Sequence, residues 1–196
     1  MIYCREYANH RKEKNMPKIV DHDEKREEIA LKATDIFLEF GYKNLGMRQL
    51  CEQLGMSKSA VYHYYKSKGE LFKAATEAMV NFDAEILAGR PSARSASPEQ
   101  QAENFVLIFQ QMAPRFFQEM KLVSDYIDVI GQENVATDPC MLLANQKYMT
   151  MLENYVSAQH KESLYTLMLG LLNHQLMLGK ALEEAFVSEQ VDRILV

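Results

Sequence analysis

Between positions 57 and 72 the chain reads SKSAVYHYYKSKGELF. Lys58, Lys66 and Lys68 come with no acid until Glu70, and Tyr62, His63, Tyr64 and Tyr65 lie among them. Ammonium groups neutralise phosphates, while phenol hydroxyls and imidazole N–H groups donate to phosphate oxygens. This is chemistry for a polyanion, yet the 196-residue chain is acidic, with a net charge of -5. The imbalance is regional. Residues 1–75 hold 14 basic and 11 acidic residues, and residues 76–196 hold 8 and 16. A basic N-terminal third on an acidic body points to a local polyanion contact. A chain-wide packaging role would need a far more basic composition.

The elements that must position these residues are legible as helices. From Glu24 to Phe40, Ile29, Ala33, Ile36, Phe37 and Phe40 form one helical stripe, and Gly41 stands where a helix C-terminus wants glycine. Met47, Leu50, Cys51 and Leu54 make a second short helix that stops at Gly55. Ser57 is an N-cap for a third, with Met56 and Val61 placed as a hydrophobic staple. Ser67 and Glu70 have the spacing of a capping box for a fourth helix, carried on by Leu71, Phe72, Ala75, Met79, Phe82 and Ile86. Two short helices joined by a few residues that include a glycine are a helix-turn-helix pattern. The second helix then exposes Lys58, Ser59, Tyr62, His63 and Tyr64, and Val61 faces inward.

The run from Arg26 to Phe72 resembles the DNA-binding region of the TetR family of transcriptional regulators. The resemblance is carried by Arg26-x-x-Ile29, Ala33, Phe37, Gly41-Tyr42, Met47-Arg48, Leu50 and Gly55-Met56-Ser57-Lys58, and then by Val61-Tyr62-x-x-Tyr65-x-x-Lys68-x-x-Leu71. It covers near a quarter of the chain. Leu45 and Gly46 depart from the family's usual threonine or serine, Cys51 from alanine and Gly69 from an acid; a hydroxyl contact to phosphate at 45 or 46 is thereby lost. The N-terminal residues of a recognition helix reach base edges. Resemblance and geometry together make Lys58, Ser59 and Ala60 the base-edge candidates, with Ser57 capping them. Arg48 is expected to reach a base or a phosphate, and Tyr62, His63, Tyr64 and Lys68 to contact phosphates. Tyr65 is assigned to packing.

The rest of the chain is helical by pattern. GRPSARSASPE (89–99) reads as a linker, and helices are expected up to Pro114, over about 115–130, 140–157, 162–182 and 184–195, with no competing strand pattern. The fold class is all-α: an N-terminal three-helix domain with a helix-turn-helix, followed by a C-terminal helical bundle for ligand binding and dimerisation. The expected division is a flexible extension over 1–20, a DNA-binding domain over 21–70 and an effector domain over 71–196. Met16 is an alternative start. The resemblance implies a homodimer through the last two helices; Leu164, Leu167, Leu171, Leu178 and Leu182 are the interface candidates, with Gly170 and Gly179 allowing close approach. It also implies a small-molecule effector. Phe105, Phe109, Met112, Phe116, Tyr126, Tyr148 and Met149 are pocket candidates, because methionine-rich and aromatic cavities suit apolar ligands.

Other chemistries lack their residues. Cys4, Cys51 and Cys140 form no metal-ligand spacing, so no metal and no cofactor is expected. Cys140 beside Pro139 has no local base or cation to make it a thiol sensor. No HExxH, GxSxG, phosphate-binding loop or paired Glu-x-x-His occurs, so an enzyme on a helical bundle, or a ligand-binding protein without a regulatory role, is the weaker alternative. No apolar run of 18 residues and no secretory signal are present, which leaves a cytoplasmic chain without a membrane partner. The expected partners are double-stranded operator DNA with an inverted repeat, a small effector and a second copy of the chain.

Overall fold

The computed structural model describes residues 22–195. The expectations for the 1–20 extension and for Met16 lie outside the described residues. Among those residues the chain is all-α: α1 (His22–Phe40), α2 (Met47–Leu54), α3 (Lys58–Tyr64), α4 (Lys68–Glu85), α5 (Pro98–Met112), α6 (Phe116–Ile130), α7 (Pro139–Tyr155), α8 (Lys161–Leu178) and α9 (Glu184–Leu195), with a short 3-10 turn at Gln132–Asn134.

Two compact units interleave along the chain. One comprises the residues up to Met79 together with Gln118–Leu143; the other comprises Val80–Phe117 and the residues from Ala144 on. In the first, α1 packs against α2 and α2 against α3. Its core is built by Ile29, Phe37, Leu45, Leu50, Val61, Tyr65, Leu71 and Phe72, and also by Leu122, Tyr126 and Cys140. In the second, α9 packs against α5 and α8. Phe105, Ile108, Phe109, Met112, Leu152, Leu164, Met168, Leu171, Leu172, Val187 and Val191 form that core.

Local chemistry explains the boundaries. Gly55 ends α2 at φ 66, a left-handed conformation that a Cβ disfavours. The Met56 N–H then reaches the Cys51 carbonyl at 3.0 Å and the Gly55 N–H the Glu52 carbonyl at 3.1 Å, a Schellman closure. Ser57 starts α3: its Oγ accepts from the Ala60 N–H at 3.2 Å. The Ser67–Glu70 capping box is only half formed. Ser67 Oγ accepts from the Glu70 N–H at 3.0 Å, but the Glu70 carboxylate accepts from the Lys66 N–H at 2.8 Å, one residue too early.

Several helix limits differ from the expected ones. The stretch 89–99 is shorter as a linker, because Ser97 forms a full capping box and Pro98 is the first residue of α5. Pro suits that position, where its missing N–H is no loss. α8 stops at Leu178, and Gly179 is its C-terminal cap, not a site of helix approach. Asp138 caps α7 by accepting the Cys140 and Met141 N–H groups, both at 2.9 Å.

Candidate nucleic-acid interface

The second turn and helix of the motif present the expected reading residues. Ser57, Lys58 and Ser59 are exposed and Ala60 is half-buried, while Val61 and Tyr65 are buried in the core as expected. Ser57 Oγ and Ser59 Oγ lie 3.1 Å apart. The Lys58 ammonium sits 5.6 Å from the Tyr62 ring centroid, close enough for a cation–π contact that holds its long stem near the helix. Arg48 on α2 is 93% exposed and pairs with Glu52 at 3.0 Å, one helical turn on. That pair is solvated and weak, so the guanidinium is available to a stronger anion.

At the other end of α3, His63 and Tyr64 join a cluster that the sequence did not suggest. His22, the first residue of α1, packs at 4.9 Å from Tyr64 and 5.5 Å from His63, and His63 meets Tyr64 edge-on at 5.0 Å. Three rings carrying imidazole nitrogens and a phenol hydroxyl therefore sit together beside the recognition helix. His22 and His63 are 41 positions apart, so no local pattern could pair them.

The orientation of α3 is held by Arg26 of α1. Its guanidinium donates to the Tyr64 carbonyl, one of the carbonyls that a helix end leaves without an internal partner. The same group lies 4.4 Å over the Tyr65 ring and 3.4 Å from Glu70. In return the Tyr65 hydroxyl donates to the Arg26 carbonyl at 2.7 Å. Burial pushes the Tyr65 phenol up to about 12, against the opposing field of Arg26.

Lys68 is placed differently from the expectation of a phosphate contact. Its ammonium turns inward, donating to the Tyr42 carbonyl at 2.8 Å and the Leu45 carbonyl at 3.0 Å, and it stands 4.1 Å from the Tyr42 ring centroid. Burial draws its pKa down, and the charge of Asp125 opposes that shift. The reason is geometric: the turn between α1 and α2 ends in carbonyls with no helical partner, and this ammonium is their donor.

The effector and interface candidates divide as follows. Phe105, Phe109, Met112, Phe116 and Tyr148 are buried in the core of the second unit, and Met149 is half-buried. Tyr126 belongs to the other core and donates to Asp138 at 3.0 Å, which corrects its grouping with the pocket residues. Phe116 also lines an open groove of about 310 Å³ with Pro114, Phe117, Leu172 and Leu176. Leu164 and Leu171 point into the core of their own unit, at 0% and 4% exposure, so they are not free for a second chain. Leu167 and Leu182 are half-buried against that core, and Leu178 is exposed, with Met177 and Phe186 nearby in sequence. Cys140 is buried, hydrogen-bonded to Thr76 at 3.3 Å, and its thiol is pushed up to about 11 by burial, which suits packing and not thiolate chemistry. Among the described residues no three His, Cys, Asp or Glu side chains are placed to hold a metal ion. No described helix is long and apolar enough to cross a membrane.

The profile described as "Bacterial regulatory proteins, tetR family" matches residues 29–75, the segment that contains this surface. That segment is therefore similar to the tetR family. Among curated relatives, the chain is 28% identical over 125 residues to the HTH-type transcriptional activator FasR of Mycolicibacterium smegmatis, covering 60% of this chain and 56% of that protein. It is 37% identical over 59 residues to the HTH-type transcriptional repressor AcnR of Corynebacterium jeikeium, covering 29% of this chain and 31% of that one. The chain thus matches about half or less of the length of these relatives. The multidrug binding protein EbrR, crystallised with imidazole, shares the fold with a TM-score of 0.64 at 15% identity, over 92% of this chain and 97% of that one. The family likeness and the shared fold therefore rest on different stretches: the likeness on residues 29–75, and the fold on nearly the whole chain.

Proposed function

We propose that this chain is a transcriptional regulator that binds operator DNA as a homodimer in the cytoplasm and leaves it when a small apolar or aromatic ligand binds. The observation that carries the reading is the first turn of α3. Ser57 caps it, Gly55 aims it, and Lys58, Ser59 and Ala60 stand at its tip, with Arg48 exposed on the preceding helix. A lysine donates to guanine O6 and N7 in the major groove, and an alanine methyl packs on a thymine methyl. Tyr62, His63 and Tyr64 are the phosphate partners. In this reading residues 21–70 read DNA and residues 71–196 receive the effector and the second copy.

The dimer is proposed through the outer faces of α8 and α9, where Met177 is 78% exposed, Leu178 46% and Phe186 37%. A two-fold pair sets two recognition helices about one DNA turn apart, roughly 34–36 Å, so the operator is an inverted repeat. The relatives include both an activator and a repressor; repression with ligand release is the mode proposed here. EbrR is described as multidrug binding, which supports an effector site in the helical body of this chain, built on Phe105, Phe109, Met112, Phe116, Tyr148 and Met149. With these side chains packed together, a ligand enters by opening that core, and only differential affinity for the open state shifts the DNA-bound population.

The test is selection and sequencing of DNA fragments bound by the purified chain, followed by footprinting. An inverted repeat is expected, and Lys58→Ala should relax preference at one position of each half-site. Binding without sequence preference, or no selected fragment at all, would overturn the reading.

A further inference from the structure

We propose that Asp125, on α6, is a positioning residue for DNA binding. This rests on the function proposed above and extends the reading head beyond the matched segment 29–75. The turn from α1 to α2 runs through Gly41, Tyr42, Lys43, Asn44 and Leu45 to Gly46. It begins with the Gly41 N–H bonded to the Phe37 carbonyl at 2.9 Å. Asp125 Oδ2 then accepts both the Tyr42 N–H at 2.5 Å and the Lys43 N–H at 2.6 Å. Two successive N–H groups aimed at one carboxylate oxygen form a small anion nest, and charge-assisted bonds are the strong ones.

Two further observations point to the same contact. Gly41 has φ +76, and a Cβ added there would fall 2.9 Å from Asp125 Oδ2, so glycine serves both the turn and the approach of the carboxylate. Two carbonyls of the same turn, those of Tyr42 and Leu45, accept from Lys68, so the turn's N–H groups meet a carboxylate and its C=O groups an ammonium. Lys43 adds a longer pairing with Asp128, at 3.7 Å.

What this hold controls is α2. Gly46 caps α2 with no side chain, so the helix has no anchor of its own at its start. Leu45, just before it, is fully buried. The direction of α2 is therefore inherited from the turn, and α2 packs on α3. Asp125 is carried by α6, whose Leu122 and Tyr126 are buried in the same core. A displacement of α6 would draw the carboxylate from the nest and leave two N–H groups to water, loosening α2.

The experiment compares wild type, Asp125→Ala and Asp125→Asn in full-length chain. It reads affinity for a fragment that the wild type selects, affinity for an unrelated duplex, and amide exchange at Tyr42 and Lys43 by nuclear magnetic resonance. Asp125→Ala should lower specific affinity by at least about fivefold, within the usual range of coupling between distant sites, and affect unrelated duplex less. Both amides should exchange faster. Asp125→Asn keeps an acceptor oxygen and should recover most of the specific affinity. Should the alanine variant not fold, faster exchange at these two amides in the asparagine variant carries the test. Unchanged exchange, or specific and unrelated DNA weakened alike, overturns the positioning role while wild-type binding stands. A wild-type chain that selects no DNA overturns the functional reading, and this proposal with it.

Discussion

Arg26→Met is the sharpest single test of how the recognition helix is held. The substitution keeps an unbranched stem of similar length and removes the guanidinium. Three contacts go with it. The bond to the Tyr64 carbonyl has a charged donor, and such bonds contribute about 1.5–3 kcal/mol. The stacking over Tyr65 at 4.4 Å adds about 0.5–1 kcal/mol. The Glu70 pair at 3.4 Å, with side chains 35% and 40% exposed, is worth little once solvent screening is counted. Water can also reach the Tyr64 carbonyl once the side chain is shortened, which offsets part of the first contribution. The expected loss is therefore about 2 kcal/mol, mostly from the first two contacts. Urea unfolding followed by circular dichroism measures it, and Glu70→Gln should cost far less in the same assay. Amide exchange should accelerate in α3 more than in α5 or α9. A loss below about 0.5 kcal/mol, the level of an ordinary surface change, would refute the claim that Arg26 anchors the helix.

Two other expectations follow from burial. Stability should be insensitive to Tyr65 and Cys140 below pH 9 and fall as pH rises toward 12: the folded chain keeps the Cys140 proton to about 11 against an ordinary 9.0, and the Tyr65 proton to about 12 against 10.0. In that window the unfolded chain holds fewer protons than the folded one, so the sign is a loss with rising pH; urea midpoints from pH 8 to 11 check it, and a rise would contradict the burial. For the proposed dimer, Met177→Glu should produce monomer in light scattering with the fold intact, whereas Leu171→Glu should unfold the second unit because it buries an unpaired charge.

The helix-turn-helix was legible because its signals are local. Hydrophobic period, Gly55 and Ser57 all fall within one or two turns of the chain, and each specifies a neighbour's conformation. Residues that act across the fold carried no such signal. Arg26 meets Tyr64 across 38 positions and Asp125 meets Tyr42 across 83. Nothing in the composition of α6 separates Asp125 from Asp128, which pairs with the Lys43 side chain at 3.7 Å. The leucines of α8 divide for another reason. A helix apolar nearly all round does not declare which face is core, and Leu164 and Leu171 went inward while Leu178 stayed exposed. The effector candidates share that limit: aromatic and methionine side chains that fill a core and those that line a ligand cavity are the same residue types.

Lys68 has two competing roles, and one variant separates them. A lysine in the first turn of a helix, within a basic segment, has the charge for a phosphate. It also has a long stem and three donors, and the turn from α1 to α2 offers carbonyls at 2.8 and 3.0 Å and an aromatic face at 4.1 Å. Burial of the ammonium costs free energy, as the lowered pKa records. The two bonds and the ring offset that cost only while they are kept, so a phosphate would have to compete with preorganised partners. Lys68→Met should therefore weaken the folded state, by about 1–3 kcal/mol for the loss of a charged hydrogen-bonding group, and leave the salt dependence of DNA binding nearly unchanged. A phosphate contact predicts the opposite: intact stability and a salt slope reduced by about one. Measuring both quantities on one variant separates the two roles, and a reduced slope with unaltered urea midpoint would return Lys68 to the DNA surface.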